Sequence, residues 1–137
     1  MSLAFSAPLQ AAVFARLSDD TAVAGLVGAA IHDALPPGMP PTLYVLLGPE
    51  EVRPRNDSGG RGAEHDFTVS VISEAAGFHT AKALAHAICE ALASPDLALS
   101  GGVLVGLWFR HARARRLEQG NLREIVLTFR ARIDVPL

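Results

Sequence analysis

The chain has 137 residues, of which 50% are hydrophobic and 19% are charged, and 12 basic against 14 acidic side chains give a formal net charge of -2. This length suits one domain over residues 1–137, and the composition is that of a globular chain rather than a disordered one. The near balance of charge argues against a general nucleic-acid binder, which carries a basic excess. The single cysteine, Cys89, excludes an internal disulfide and a cysteine-rich zinc site.

The N-terminal sequence lacks the basic region and the long apolar run that are typical of a signal peptide. The longest apolar-leaning run, 22–31, is much shorter than the roughly 20 residues that span a bilayer. We therefore expect a protein of an aqueous, reducing compartment with no membrane partner.

Two helices are predicted near the N-terminus. Ser6 and Pro8 are typical of a helix start, because serine caps free N–H groups and proline is tolerated in the first turn. The apolar anchors of this helix follow the expected spacing: Leu9, Val13 and Leu17. Asp19 and Asp20 are expected to end it and to cap a second, shorter helix. The proline-rich run 35–41 then predicts a loop.

A buried strand is predicted over 42–47, followed by one long irregular stretch, 48–62. Prolines, glycines and charges in this stretch predict a mobile loop, since long loops in compact domains are usually functional or disordered. Its charged side chains are candidate interface residues: Glu50, Glu51, Arg53 and Arg55.

The clearest strand pattern covers 65–73, where Phe67, Val69 and Val71 alternate with polar residues. A helix of about 15 residues follows, and its predicted core stripe is Ala81, Leu84, Ala85, Ile88 and Leu92.

Two further strands, 103–113 and 122–133, are predicted to pair through a turn at 119–121. The second strand also alternates apolar and polar residues, so the sheet has one apolar face for the helices and one polar face. The elements together predict an α+β fold, a two-layer sandwich of a mostly antiparallel sheet with helices packed on one face.

No motif of a hydrolase elbow, a phosphate-binding loop, a zinc protease or a dinucleotide fold occurs in the sequence. Cys89 and His86 are three residues apart, and we interpret Cys89 as a small packing residue. His79 and His86 are seven apart, whereas helical metal ligands are spaced by three or four. We expect no catalytic, cofactor-binding or metal-ligating residue. The alternative, a small α+β hydrolase or ligand-binding protein, requires a pocket lined by several of His65, His86 and Cys89.

One charge cluster is distinctive because four arginines occur within seven residues: Arg110, Arg113, Arg115 and Arg116. The pattern places them at the end of a strand and into its turn. Such a cluster is either a solvated hairpin tip or a contact with an acidic partner or passing DNA. Trp108 precedes the cluster and is either an interface anchor or part of the core.

The order and spacing of these segments resemble the tail-completion or tail-terminator family of long-tailed bacteriophages and prophages, including the related tails of gene transfer agents. The resemblance covers about residues 8 to 133 and rests on a series of weak signals rather than on one motif. The segments that carry it are 9–17, 26–33, 41–48, 65–71, the long helix with 97–99, and the arginine-bearing hairpin.

The resemblance implies a structural virion subunit without enzymatic activity. Its partners would be further copies in a ring, typically a hexamer, the tail tube protein, and the head-side connector or stopper. DNA would pass through the channel without sequence-specific binding. The subunit would be made in the cytoplasm of a bacterial host and then occupy the head–tail junction. A head–tail adaptor or stopper ring is the alternative within this class.

In such a ring we expect the sheets to surround the channel, and the candidate lumen residues are polar: Asp66, Thr68, Ser70 and Thr128. Carboxylates there would repel DNA phosphates. The arginine cluster would instead contact an acidic surface of a neighbouring subunit or of the tube.

Overall fold

The computed structural model describes residues 3–34, 38, 42–57, 60–74, 78–117 and 122–135. In chain order the described elements are α1 (Ser6–Asp19), α2 (Thr21–Val27), β1 (Ile31–His32), β2 (Leu43–Asp57), β3 (Gly60–Ser73), α3 (His79–Ala91), β4 (Val103–Arg116) and β5 (Arg123–Asp134). Most of the proline-rich loop at 35–41 and the turn at 119–121 lie outside the described residues, as do Ser58 and Gly59 of the stretch 48–62.

The strands form one sheet in the order β1-β2-β3-β5-β4. Only β1 and β2 are parallel among these neighbours; β2 with β3, β3 with β5 and β5 with β4 are antiparallel. The helices pack on one face of this sheet, which confirms the predicted α+β sandwich.

The core lies between the helices and the apolar face of β3 and β5. On β5 every second residue is buried, and Phe129 at its centre is 1% exposed. Its ring stacks on Phe67 of β3 with centroids 5.5 Å apart. The predicted helical stripes on α1 and α3 are buried against this surface. The spacing of apolar residues therefore identified the core correctly, since a period of two or of about 3.6 places them on one face.

The start of α1 differs from the prediction, whereas the start of α2 confirms it. Ser6 is the first helical residue, and its hydroxyl donates to the Glu50 carboxylate instead of capping the helix. Asp20 caps α2, because its Oδ2 accepts from the Val23 amide at 3.0 Å.

The irregular loop predicted over 48–62 is wrong as secondary structure. Residues 48–57 belong to β2 and residues 60–62 to β3, and the two strands form an antiparallel hairpin. Two residues, Gly48 and Pro49, lie opposite Thr68 in a bulge between the Leu47 and Glu50 pairs. Past its pairing with the two residues of β1, β2 forms a free edge of the sheet. Bulges and prolines are tolerated in an edge strand. The mobility of this segment stays a prediction.

Two further boundaries differ from the sequence prediction. The two-residue strand β1 was not predicted; it pairs with Val45 and Leu46 of β2. The strand β4 extends to Arg116, so Arg115 and Arg116 are strand residues rather than turn residues. Both differences reflect pairing with a neighbouring strand, which the hydrophobic pattern of the segment itself does not carry.

Within the described part of the chain, no helix is long and apolar enough to cross a membrane. Among the same residues, no group of three or more His, Cys, Asp or Glu side chains is placed to hold a metal ion.

Candidate functional site

The polar face of the sheet carries a network of ion pairs between strands. Arg130 of β5 lies opposite Asp66 of β3, with 2.7 Å from Nε to Oδ1 and 3.0 Å from Nη2 to Oδ2. These hydrogen bonds are the main reason that the pKa of the Asp66 carboxyl lies below its ordinary value, although burial opposes the shift. Arg53 of β2 approaches the same carboxylate at 3.3 Å. The carboxylate of Asp66 is therefore neutralised by its own chain.

The other candidate lumen residues lie on the same face. Thr68 and Thr128 are directly opposite in the register of β3 and β5. Ser70 is also on this face but is only 8% exposed, so it offers little surface to a partner. The structure thus brings Asp66, Thr68 and Thr128 together on one partly exposed surface.

The charged residues of the predicted loop lie along the β2–β3 hairpin. Arg55 pairs with Glu64 at 3.1 Å across the hairpin, and Arg53 contacts Glu51. The side chains of Arg53 and Glu51 are 47% and 63% exposed, which leaves them accessible to a partner.

Glu50 is placed differently, because the bulge turns its side chain towards the helices. Its Oε2 lies 3.0 Å from Nδ1 of His65, which is fully buried, and its Oε1 accepts from Ser6. Burial raises the pKa of the Glu50 carboxyl, but hydrogen bonds from His65 and Ser6 outweigh this and lower it overall. Glu50 therefore joins β2, β3 and α1 within the subunit.

The arginine cluster lies along β4, which is an edge strand and carries no acidic residue. Arg115 pairs with Glu124 of β5, with 2.7 Å from Nε to Oε1, so it lies on the polar face. Alternation along the strand puts Arg113 on that face too. Arg116 lies opposite Arg123 and projects to the helix side. The cluster is therefore divided between the two faces of the sheet.

Two aromatic side chains of β4 are half exposed. Trp108 faces the polar side opposite Arg130 and is 50% exposed, so it is not part of the core. Phe109 is on the helix side, packs edge-on against Phe129 at 5.8 Å, and is 51% exposed. Bulges interrupt the ladder between Leu104 and Gly106 and between Phe109 and His111.

The residues of the enzyme alternative do not converge. His65 is fully buried on β3, whereas His86 is exposed on α3 and lies 3.7 Å from Glu90. Cys89 is half-buried, and burial raises the pKa of its thiol, which disfavours the reactive thiolate.

Sequence reasoning missed a groove beside α1. An open groove of about 440 Å³ runs between α1 and the β1 edge, lined on the helix by Ala7, Ala11 and the 45% exposed Phe14. Asp33 lies at the other wall. The spacing i, i+4, i+7 of these apolar residues gives α1 a second stripe beside its core stripe, and this signal was available in the sequence.

A family model and a solved structure each match the chain over most of its length. The family model described as tail completion protein gp17 matches residues 11–134. A chain in the solved structure of the virion of a native gene transfer agent (GTA) particle is 53% identical, with a TM-score of 0.91, over 97% of this chain and 99% of that chain. No curated protein sequence matches the chain.

Proposed function

The chain belongs to the tail completion protein gp17 family, and from this premise we propose that its copies form a ring that ends the tail tube of a phage-like particle. The membership makes it a structural tail protein and not an enzyme. The observation that carries the proposal is the 53% identity to a chain of a GTA virion over nearly the full length of both chains. We propose a hexamer that joins the tube to the head-side connector.

The polar face of the sheet supports a role as the channel wall. Its acidic residues are paired within the subunit, as in the contacts of Asp66 with Arg130 and of Glu64 with Arg55. On β2, β3 and β5, a surface of paired charges and threonine hydroxyls holds DNA phosphates weakly, because cations that are already paired are poorly placed to replace the counterions of DNA. This replaces the simpler expectation that carboxylates such as Asp66 repel the phosphates.

The edge strand β4 supports a role in contacts between proteins. Trp108 is a half-exposed aromatic side chain and Arg113 is an exposed arginine, and both residue types are enriched where proteins bind each other. We propose that the basic side chains of β4 meet an acidic surface on a neighbouring subunit or on the tube.

Deleting the gene and locating the protein in particles test the proposal. Deletion is expected to give tails of irregular length or tails without heads by electron microscopy. A labelled copy is expected at the head–tail junction in complemented particles. The copy number per particle is expected to be the number of subunits in the ring or a multiple of it. A label confined to the head side of the connector would instead indicate an adaptor or stopper ring. Normal particles from the deletion strain would contradict the proposed function.

A further inference from the structure

The helix layer of this fold stops short of one edge of the sheet. On the helix side of β4, Leu107 is buried, but Phe109, Ala112, Ala114 and Arg116 beyond it are exposed. These four residues are called the β4 shelf. The shelf continues the apolar face of the sheet, and no helix in the described part of the chain covers it.

A second uncovered apolar surface lies at the opposite edge. Ala7, Ala11 and Phe14 on α1 form the exposed stripe that lines the groove beside β1 and β2, and they are called the α1 stripe. Apolar residues at i, i+4 and i+7 are the anchors with which a helix docks into an apolar surface.

The charges at the two edges are opposite. The β4 strand carries four arginines and no acidic residue, whereas the segment 6–33, with α1, α2 and β1, carries three aspartates and one arginine. Arg16, that one arginine, already pairs with Asp96 at 2.7 Å. Asp33 borders the α1 stripe, and Arg116 is the last residue of the β4 shelf.

Resting on the proposed ring, we propose that the α1 stripe of one copy packs on the β4 shelf of the next copy in a head-to-tail contact, with Asp33 facing Arg116. The α1 helix then supplies the part of the helix layer that the neighbour lacks over β4. The contact joins different surfaces of the two copies, so it repeats around a ring instead of ending at a dimer.

Two features of β4 argue against the other contacts that this edge could make, which are the addition of a strand and a symmetric contact of two shelves. Its two bulges interrupt the β4–β5 ladder, and the irregular backbone of β4 disfavours the addition of a further strand at its free edge. Packing through side chains is then favoured. A symmetric contact of shelf on shelf would join two strands that each carry four arginines and no acidic residue, which is electrostatically unfavourable.

Cysteine cross-linking in purified particles tests the contact. In a Cys89→Ala background, the double variant Ala11→Cys, Ala112→Cys is treated with a bis-maleimide and analysed on denaturing gels. A ladder of dimers and higher multimers of this chain is expected. Neither single variant should give a dimer, and the matched control Ala83→Cys, Ala112→Cys, with its first cysteine on the exposed side of α3, should give no ladder.

Any other result of the cross-linking contradicts either the proposed contact or the proposed function. A dimer from a single variant, an equal ladder from the control, or a cross-link only to another protein overturns the contact. So does the absence of a ladder when the double variant is present in particles. Absence of the natural protein from particles would contradict the proposed function instead.

A charge exchange gives an independent readout that does not require cysteines. Arg116→Asp and Asp33→Arg are each expected to lower incorporation of the chain into particles by about tenfold, because each brings like charges together. The combined variant is expected to recover most of this loss. Incorporation of the combined variant no better than that of the single variants would overturn the contact.

Discussion

Arg130 holds Asp66 through two hydrogen bonds across the β3–β5 pair, and the two residues lie on the polar face of the sheet. The pair contributes to the free energy of unfolding of the subunit, and this contribution depends on pH. The lowered pKa of Asp66, caused first by the hydrogen bonds of Arg130, means that folding favours the charged carboxylate. This contribution is present above the ordinary pKa of 3.8 and is lost as the pH falls through the lower folded pKa.

We predict that Asp66→Asn lowers the free energy of unfolding by about 1 kcal/mol at neutral pH, since the pair is partly exposed and screened. The difference from the natural protein should shrink as the pH falls below 3.8. Urea unfolding at several pH values measures it. A difference that stays constant down to acidic pH would show that the ion pair is not its cause.

The second prediction concerns the junction of Glu50, His65 and Ser6. Replacing Glu50 by alanine leaves the buried Nδ1 of His65 and the hydroxyl of Ser6 without their acceptor. We expect a loss of roughly 1–3 kcal/mol in the free energy of unfolding. The neighbouring variant Glu51→Ala is the control, because its contact with Arg53 is exposed and worth under about 1 kcal/mol. Equal effects of the two variants would contradict the structural role of Glu50.

The strands and helices that sequence analysis identified have a local period. The apolar residues that alternate along β5 around Phe129 are buried, as expected, and so are those of the α3 stripe around Leu84. The outer part of the β2–β3 hairpin, which contains Pro49 and Pro54, was not recognised. Its residues belong to strands because they pair with each other, and they show no hydrophobic alternation.

The candidate surfaces were predicted only as lists of residue types. Sequence alone does not give the register that places Arg130 beside Asp66, since 64 residues separate them. It also does not show that Arg115 and Arg116 project to opposite faces of β4, which requires the strand to extend to its actual end.

The third prediction concerns the outer part of the β2–β3 hairpin. Pairing with β5 ends at Gly62, so residues 56–57 and 60–61 form a two-stranded ribbon beyond the three-stranded part of the sheet, and such a ribbon is marginally stable by itself. We expect their amides to exchange much faster than those of 65–71 in the free subunit and to become protected in assembled particles. Hydrogen exchange on both forms measures this. Strong, equal protection in the free subunit would contradict the predicted mobility.

The fourth prediction is that Cys89 and His86 have no chemical role in assembly. Cys89→Ala and His86→Gln are each expected to leave the particle yield within about twofold of the natural protein, because one residue packs and the other is solvated. Counting particles by electron microscopy and checking the fold by circular dichroism provide the measurement. A folded variant that assembles no particles would contradict this prediction.

The last prediction concerns the arginines of β4. Among the described residues, the triple variant Arg113→Ser, Arg115→Ser, Arg116→Ser removes one ion pair within the subunit, that of the exposed Arg115 with Glu124, at a cost of under about 1 kcal/mol. We therefore expect the isolated subunit to fold with a nearly unchanged melting temperature. The same change should weaken ring formation or tube capping, because charge-assisted contacts to an acidic partner are lost on both faces of the strand. Electron microscopy should show tails of irregular length or tails without heads.

A control with a cation removed elsewhere separates this effect from a general change of charge. Lys82→Glu shifts the net charge by two at an exposed side chain of α3, away from β4 and from the α1 stripe, and is expected to give normal particles. Uniform, fully joined particles from the triple variant would show that the arginines only solvate the edge of the sheet. Defective particles from the triple variant and from the control alike would point to net charge as the cause. Defects confined to the triple variant would assign these arginines to an interface of the tail.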